Sequence, residues 1–229
     1  MTILDQLRIQ PTVDDILHAQ GVDPQIVRSR RPMIAQTAEL ALQAGLPLLQ
    51  PSVSYNTLSV DAISHNRIML SGRHPLRSVL LAQEMKNAEQ LYLCVCSIGT
   101  EIEIASREAM DEDPALGMAL DAMGSAAVEL LISETCKYFE NLIPAGWYLS
   151  QPLGPGMEGW PVSEGQPQIF QLVDTQPIGV TLTESFLMLP IKSASFVLGS
   201  SPHPFNQGSI CDFCNVRETC RYRGRSNHG

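Results

Sequence analysis

The stretch from Tyr148 to Gly199 constrains this chain more than any other. It opens with Pro152, Gly154, Pro155, Gly156, Gly159 and Pro161 inside ten residues. So many helix and strand breakers in so short a span predict a loop, one suited to close backbone approach to a ligand. After a short amphipathic run, two apolar segments follow, reading as strands over 178–183 and 186–198. They flank a polar triplet, Thr183-Glu184-Ser185. Polar groups inside otherwise buried sequence need partners, because burying them unpaired costs about 1–3 kcal/mol on protein mutational scales. Pro190 interrupts the second segment, and Lys192, one of only three lysines, follows it.

Upstream, Leu91 to Cys96 is a continuous apolar run and predicts a buried strand. A glycine turn at Gly99 and a helix with Ile102, Ala105 and Ala109 come next. That turn suits an anion at the helix start or simply a tight connection. Asp113-Pro114 is a cap followed by a first-turn proline, and it predicts a helix running to about Asn141. Leu116, Leu120, Met123, Ala127, Leu130 and Leu131 form its apolar face. Its small residues, Ala119, Ala122, Gly124, Ser125, Ala126 and Ala127, allow a backbone or a flat ligand to come close. Glu129 lies one turn beyond Ser125 on the same face.

The first 88 residues read as a small mixed helix–strand region. Thr12 with Asp15 has the form of a capping box. A second helix is predicted from Pro32 to Gly45, extended chain over 46–74, and a helix opening at Pro75.

Composition narrows the function classes. The chain has 229 residues with 44% apolar and 17% charged residues, so a sizeable core is expected. A net charge of −9 argues against a general nucleic-acid binder. No run approaches the roughly 18 apolar residues of a membrane span, and no signal peptide is visible, so a cytoplasmic protein is the expectation. Of six cysteines, Cys94, Cys96 and Cys136 lie in apolar or helical sequence and read as small buried hydrophobes. Cys211-x2-Cys214-x5-Cys220 is different. Three thiols among Arg217, Arg221, Arg223 and Arg225 point to a metal site, with His203 or His228 as a fourth ligand for zinc; a disordered or disulfide-bonded tail is the alternative reading. An iron–sulfur cluster is the other metal centre weighed.

One resemblance organises these features. Leu182-Thr183-Glu184-Ser185-Phe186, with Met188, Pro190, Ser193 and Ser195, resembles the reactivation domain of cobalamin-dependent methionine synthase. Pro155-Gly156 matches that domain's upstream loop, and the likeness is clear over about residues 90–199. It implies an α+β fold, an antiparallel sheet with helices. It divides the chain into an N-terminal region 1–88, an activation-like domain 89–200 and a cysteine-containing tail 201–229. It further implies an accessory role in reductive reactivation, with S-adenosylmethionine as methyl donor and a corrinoid-binding protein or methyltransferase as partner. No Asp-x-His-x-x-Gly motif occurs, so cobalamin would come only through that partner. The residues that the resemblance places at the site are Glu129, Gly154, Pro155, Gly156, Thr183, Glu184, Ser185 and Lys192. The family has arginine at Pro152, tyrosine at Met157 and a helical glutamate at Ser125, which predicts weak or absent S-adenosylmethionine binding here. The alternative function is a metal- or iron–sulfur-binding redox or binding module that kept the fold without that ligand.

Overall fold

The structure, a computed structural model, describes residues 2–206. The chain begins with β1 (Thr2–Leu4), α1 (Val13–Ala19), α2 (Pro24–Arg30) and α3 (Pro32–Gly45). Then come β2 (Ser52–Ser64), β3 (Arg67–Leu70), β4 (Leu76–Arg77) and α4 (Val79–Glu84). The centre holds β5 (Gln90–Ser97), α5 (Glu101–Glu112) and α6 (Pro114–Leu142). The last third holds β6 (Tyr148–Leu149), α7 (Val162–Leu172), β7 (Thr181–Leu182), β8 (Met188–Leu189) and β9 (Ser193–Ser201).

The architecture is the expected α+β one, with an antiparallel sheet in the order β4-β3-β2-β5-β9-β6 and β1 added beside β2. The middle strand β5 pairs with β2 from Ser52↔Ser97 to Ser59↔Gln90, and with β9 from Gln90↔Ser200 to Ser97↔Ser193. Its neighbours therefore come from both sides of residue 88 in sequence. Because side chains alternate across a strand, Tyr92, Cys94 and Cys96 enter one core, and Leu91, Leu93 and Val95 enter another. Both faces of the sheet are covered, and that is why this run is apolar throughout. The first core holds α1, α3, α5 and α6. The second lies under α4 and α7, with Trp160 fully buried in it.

The predicted helix starts at Thr12 and Asp113 hold. Thr12 Oγ1 accepts from the Asp15 backbone N–H, and an Asp15 carboxylate oxygen accepts from the Thr12 N–H. Asp113 accepts from the N–H groups of Ala115 and Leu116, at 3.1 and 3.2 Å, and opens α6. Alpha6 is long and apolar enough to cross a membrane, but half of its apolar window is buried in the fold, as suits a core helix. Its Gly117 touches α5 closely: a Cβ there would lie 2.7 Å from Met110 Cγ.

Three expectations need correction. Residues 46–74 are not uniformly extended, since Leu46–Leu48 forms one 3-10 turn before β2. Pro75 does not open a helix. Leu76 pairs with Ile68 as part of β4, and Ser78 caps α4 by accepting from Leu81 N–H. The two segments around the polar triplet are not long strands. Only two residues on each side pair, Thr181↔Leu189 and Leu182↔Met188, and the sheet strand begins at Ser193. Buried contact with β5, not apolar character, decides where a strand starts here.

Candidate functional site

The glycine-rich loop lies along the outer edge of β9. Ser150 N donates to Gly199 O at 2.8 Å, and Leu153 and Val197 exchange bonds of 3.0 and 2.8 Å. A Cβ on Gly154 would sit 2.8 Å from Ser195 O, so only glycine permits this approach. On α7, a Cβ at Gly165 would lie 2.7 Å from Pro155 Cγ and 2.8 Å from Trp160 Cε2. The close backbone approaches that the sequence announces are thus made to β9 and α7. Gly156 has φ of 100° and donates to Trp160 O at 2.8 Å. The Gly154 N–H donates to Met157 Sδ at 3.4 Å. Both amides have partners within the loop. The Trp160 indole Nε1 is buried with no hydrogen-bond partner among the described residues.

Lys192 belongs to a second group, on the α6 side of the sheet. Its backbone N–H donates to Glu103 Oε1 at 2.7 Å, and its carbonyl accepts from Ile98 N–H at 3.2 Å. Its aliphatic chain crosses Gly124, where an added Cβ would come within 3.1–3.2 Å of Lys192 Cε, Cδ and Cγ. Its ammonium ends 2.8 Å from Asp121 Oδ1 and 2.9 Å from Ser125 Oγ, and only 12% of the side chain is exposed. The small residue at 124 therefore admits an internal lysine. Glu129 continues the line Asp121–Ser125–Glu129, four residues apart along one helix face. Glu129 is exposed by area, yet surrounding protein desolvates its carboxyl and raises its pKa.

The polar triplet sits at the turn between β7 and β8. Contrary to the expectation of buried polar groups, Glu184 and Ser185 are exposed. Thr183 Oγ1 accepts from Leu187 N–H and lies 3.0 Å from Ser185 Oγ, so the turn satisfies its own polar groups. Phe186 takes φ of 64° to close it. Beyond the turn, Leu187, Leu189 and Ile191 are 62%, 46% and 65% exposed.

The predicted residues therefore fall into three places. Gly154, Pro155 and Gly156 pack on β9 and α7; Lys192 meets the α6 face that carries Glu129; Thr183, Glu184 and Ser185 form the hairpin tip. Sequence reading missed Asp121 and Glu103. The four-residue spacing of Asp121 and Ser125 was the one available signal, since Lys192 reaches Asp121 and, across 67 residues of chain, Ser125. Cys94 and Cys96 are buried and Cys136 is half-buried, and desolvation makes all three poor nucleophiles, pushing Cys96 and Cys136 up to about 12 and Cys94 well above its ordinary value. Cys211, Cys214 and Cys220 lie outside the described residues. Among the described residues no group of three or more His, Cys, Asp or Glu is placed to hold a metal.

No family model and no curated protein matches this sequence. Among solved structures, the crystal structure of the MetH reactivation domain bound to AdoHcy is similar, with a TM-score of 0.62. The match covers 96% of this chain and 85% of that one at 14% identity. This chain has the reactivation-domain fold. The likeness extends well beyond residues 90–199 and takes in the N-terminal helices and β2. With the reactivation-domain fold assigned, the departures can be located in space. The Met157 thioether accepts the Gly154 amide hydrogen, and Lys192 takes up Ser125. Met157 and Ser125, two positions that depart from the family pattern, are thus engaged within the chain itself.

Proposed function

We propose that this protein is an accessory factor of a corrinoid-dependent methyltransferase system, acting in reductive reactivation or remethylation of a partner's corrinoid. The observation that supports this reading is the reactivation-domain fold, which matches over 96% of the chain. Docking would use the hairpin face: Thr183, Glu184 and Ser185 at the tip, with Leu187, Leu189 and Ile191 as its apolar side. Three large aliphatic side chains exposed within five residues form a patch rather than scattered surface residues. The test is anaerobic binding to a corrinoid protein in the Co(II) state, and remethylation of that corrinoid with a chemical reductant supplying the one electron and S-adenosylmethionine supplying the methyl cation, released as S-adenosylhomocysteine. Ile191→Asp together with Leu187→Asp should weaken capture at least about tenfold, the cost of a charge placed in a desolvated contact, while the melting temperature holds. The reading fails if wild-type protein neither retains corrinoid proteins nor changes the remethylation rate.

A second reading, a binding or redox module that kept the fold without S-adenosylmethionine, is favoured by the internal use of Gly154 N–H and Ser125. It carries the metal proposal for Cys211, Cys214 and Cys220 with it. Anaerobically purified protein should then contain iron or zinc, and Cys214→Ser should release it. Metal-free protein with all three thiols titratable rules the centre out.

A further inference from the structure

Arg67 and Arg77 stand directly opposite each other where β3 pairs with β4. The next pair, Ile68 and Leu76, enters the second core, so the two arginines point away from it. Both are exposed, as are Ser64, Ala62 and Met69 on the same outer face. Directly opposed side chains in an antiparallel pair hold their Cβ atoms about 4.5–5.5 Å apart, and like charges there work against the pairing. Among the described residues nothing relieves this. Neither arginine takes part in an ion pair, nor does Arg73 in the loop between the strands. No aspartate or glutamate occurs from Ala62 to Gln83. Asp61, the carboxylate just before that run, accepts from the Ser71 hydroxyl. A single exposed arginine needs no partner. Two that face each other across a strand only two residues long keep a repulsion that one substitution would remove.

We propose that the outer face of β3 and β4 is a docking surface for an acidic protein segment, with Arg67 and Arg77 holding its carboxylates. A guanidinium fork matches a carboxylate bidentately, and a carboxylate seated between two arginines turns their repulsion into attraction. The face is flat sheet, with Met69 43% exposed beside the arginines, which suits a protein surface. A nucleic-acid backbone would meet too little basic surface on a chain of net charge −9. The face also stands apart from the β7–β8 hairpin. Beta2 runs from the rung Ser52–Ser97–Ser193, beside Lys192, past the rung Ser59–Gln90–Ser200 and on to Ser64. The two surfaces thus lie at opposite ends of the sheet, and filling one leaves the other free.

The experiment is fluorescence anisotropy of a labelled octaglutamate peptide with the full chain, at about 20 mM salt. Wild-type protein should bind it, and binding should fade towards about 0.5 M salt, where the screening length falls to roughly 4 Å. Arg67→Thr and Arg77→Thr should each weaken binding about threefold and the double variant about tenfold, on the scale of exposed ion pairs. Arg107→Thr, at an exposed arginine of α5, makes the same change in net charge and should bind as wild type does. Each strand variant should melt no earlier than wild type, because it removes a repulsion. An early melt in both would mean that the arginines hold the strand, and would overturn the proposal. So would equal weakening by Arg107→Thr, unchanged binding in the double variant, or no binding by wild type at low salt. Polyphosphate of equal charge binding at least tenfold tighter than octaglutamate would make the face a phosphate site and overturn it as well. The peptide involves no corrinoid protein, so this outcome is separate from that of the docking test at the β7–β8 hairpin.

Discussion

Glu129 shows how much one carboxyl depends on its setting. Desolvation raises its pKa in the folded chain, so folding favours the protonated form. The stability this contributes is present below the unfolded value and is lost as pH rises through the folded one. Glu129→Gln should therefore raise the melting temperature slightly at pH 7 and leave it unchanged at about pH 3.5. A scan of melting temperature against pH for both proteins checks the sign. Gly165 carries a larger effect. A Cβ would lie 2.7 Å from Pro155 and 2.8 Å from the Trp160 ring, both rigid groups. Overpacking costs about 1–3 kcal/mol, against roughly 1 kcal/mol gained in helix propensity. Gly165→Ala should lose up to about 2 kcal/mol in urea unfolding.

At the scale of elements, the short edge strand β4 is stabilised by a side chain acting as a strand. Gln168 Oε1 accepts from Arg77 N–H at 2.5 Å, and Gln168 Nε2 donates to Arg77 O at 3.2 Å. Gln168→Ala should cost about 1 kcal/mol, the net worth of a typical hydrogen bond or two, and speed amide exchange at Arg77. Asn56 does similar work at the C-terminus of α7, where its amide donates to the end-of-helix carbonyl of Leu172 at 2.8 Å. Elements were legible where local chemistry decides them: Thr12 with Asp15, Pro32 to Gly45, Asp113-Pro114, and the apolar run of β5. They were illegible where distant contact decides. Pro75 fits a helix start as well as a strand edge, and only the pairing of Leu76 with Ile68 separates the two. The apolar run after the triplet divides into hairpin and sheet strand because Ser193 finds Ser97, a choice no local window contains. The loop ligands were legible as departures at Pro152 and Met157, but the filling of the α6 face by Lys192 was not.

At the scale of the whole molecule, one sheet ties the N-terminal region to the rest. The first core draws Ile16, Ala38 and Val53 together with Met123 and Phe196. A fragment of residues 89–206 would lose all eight β2 partners of β5 and the helices α1 and α3 from that core. It should show no cooperative thermal transition by circular dichroism, whereas residues 1–206 should. A sharp transition in the shorter fragment would mean that the sheet holds without its N-terminal half. The central position of β5 also bears on synthesis. Leu93 must pair with Val197, so the most apolar strand in the chain leaves the ribosome roughly a hundred residues before its second neighbour exists. At about 5–20 residues per second, that edge stays open for some 5–20 seconds, with Leu91, Leu93 and Val95 beside it. Hsp70-class chaperones should be captured on nascent chains that end between β5 and β9, and released once β9 emerges.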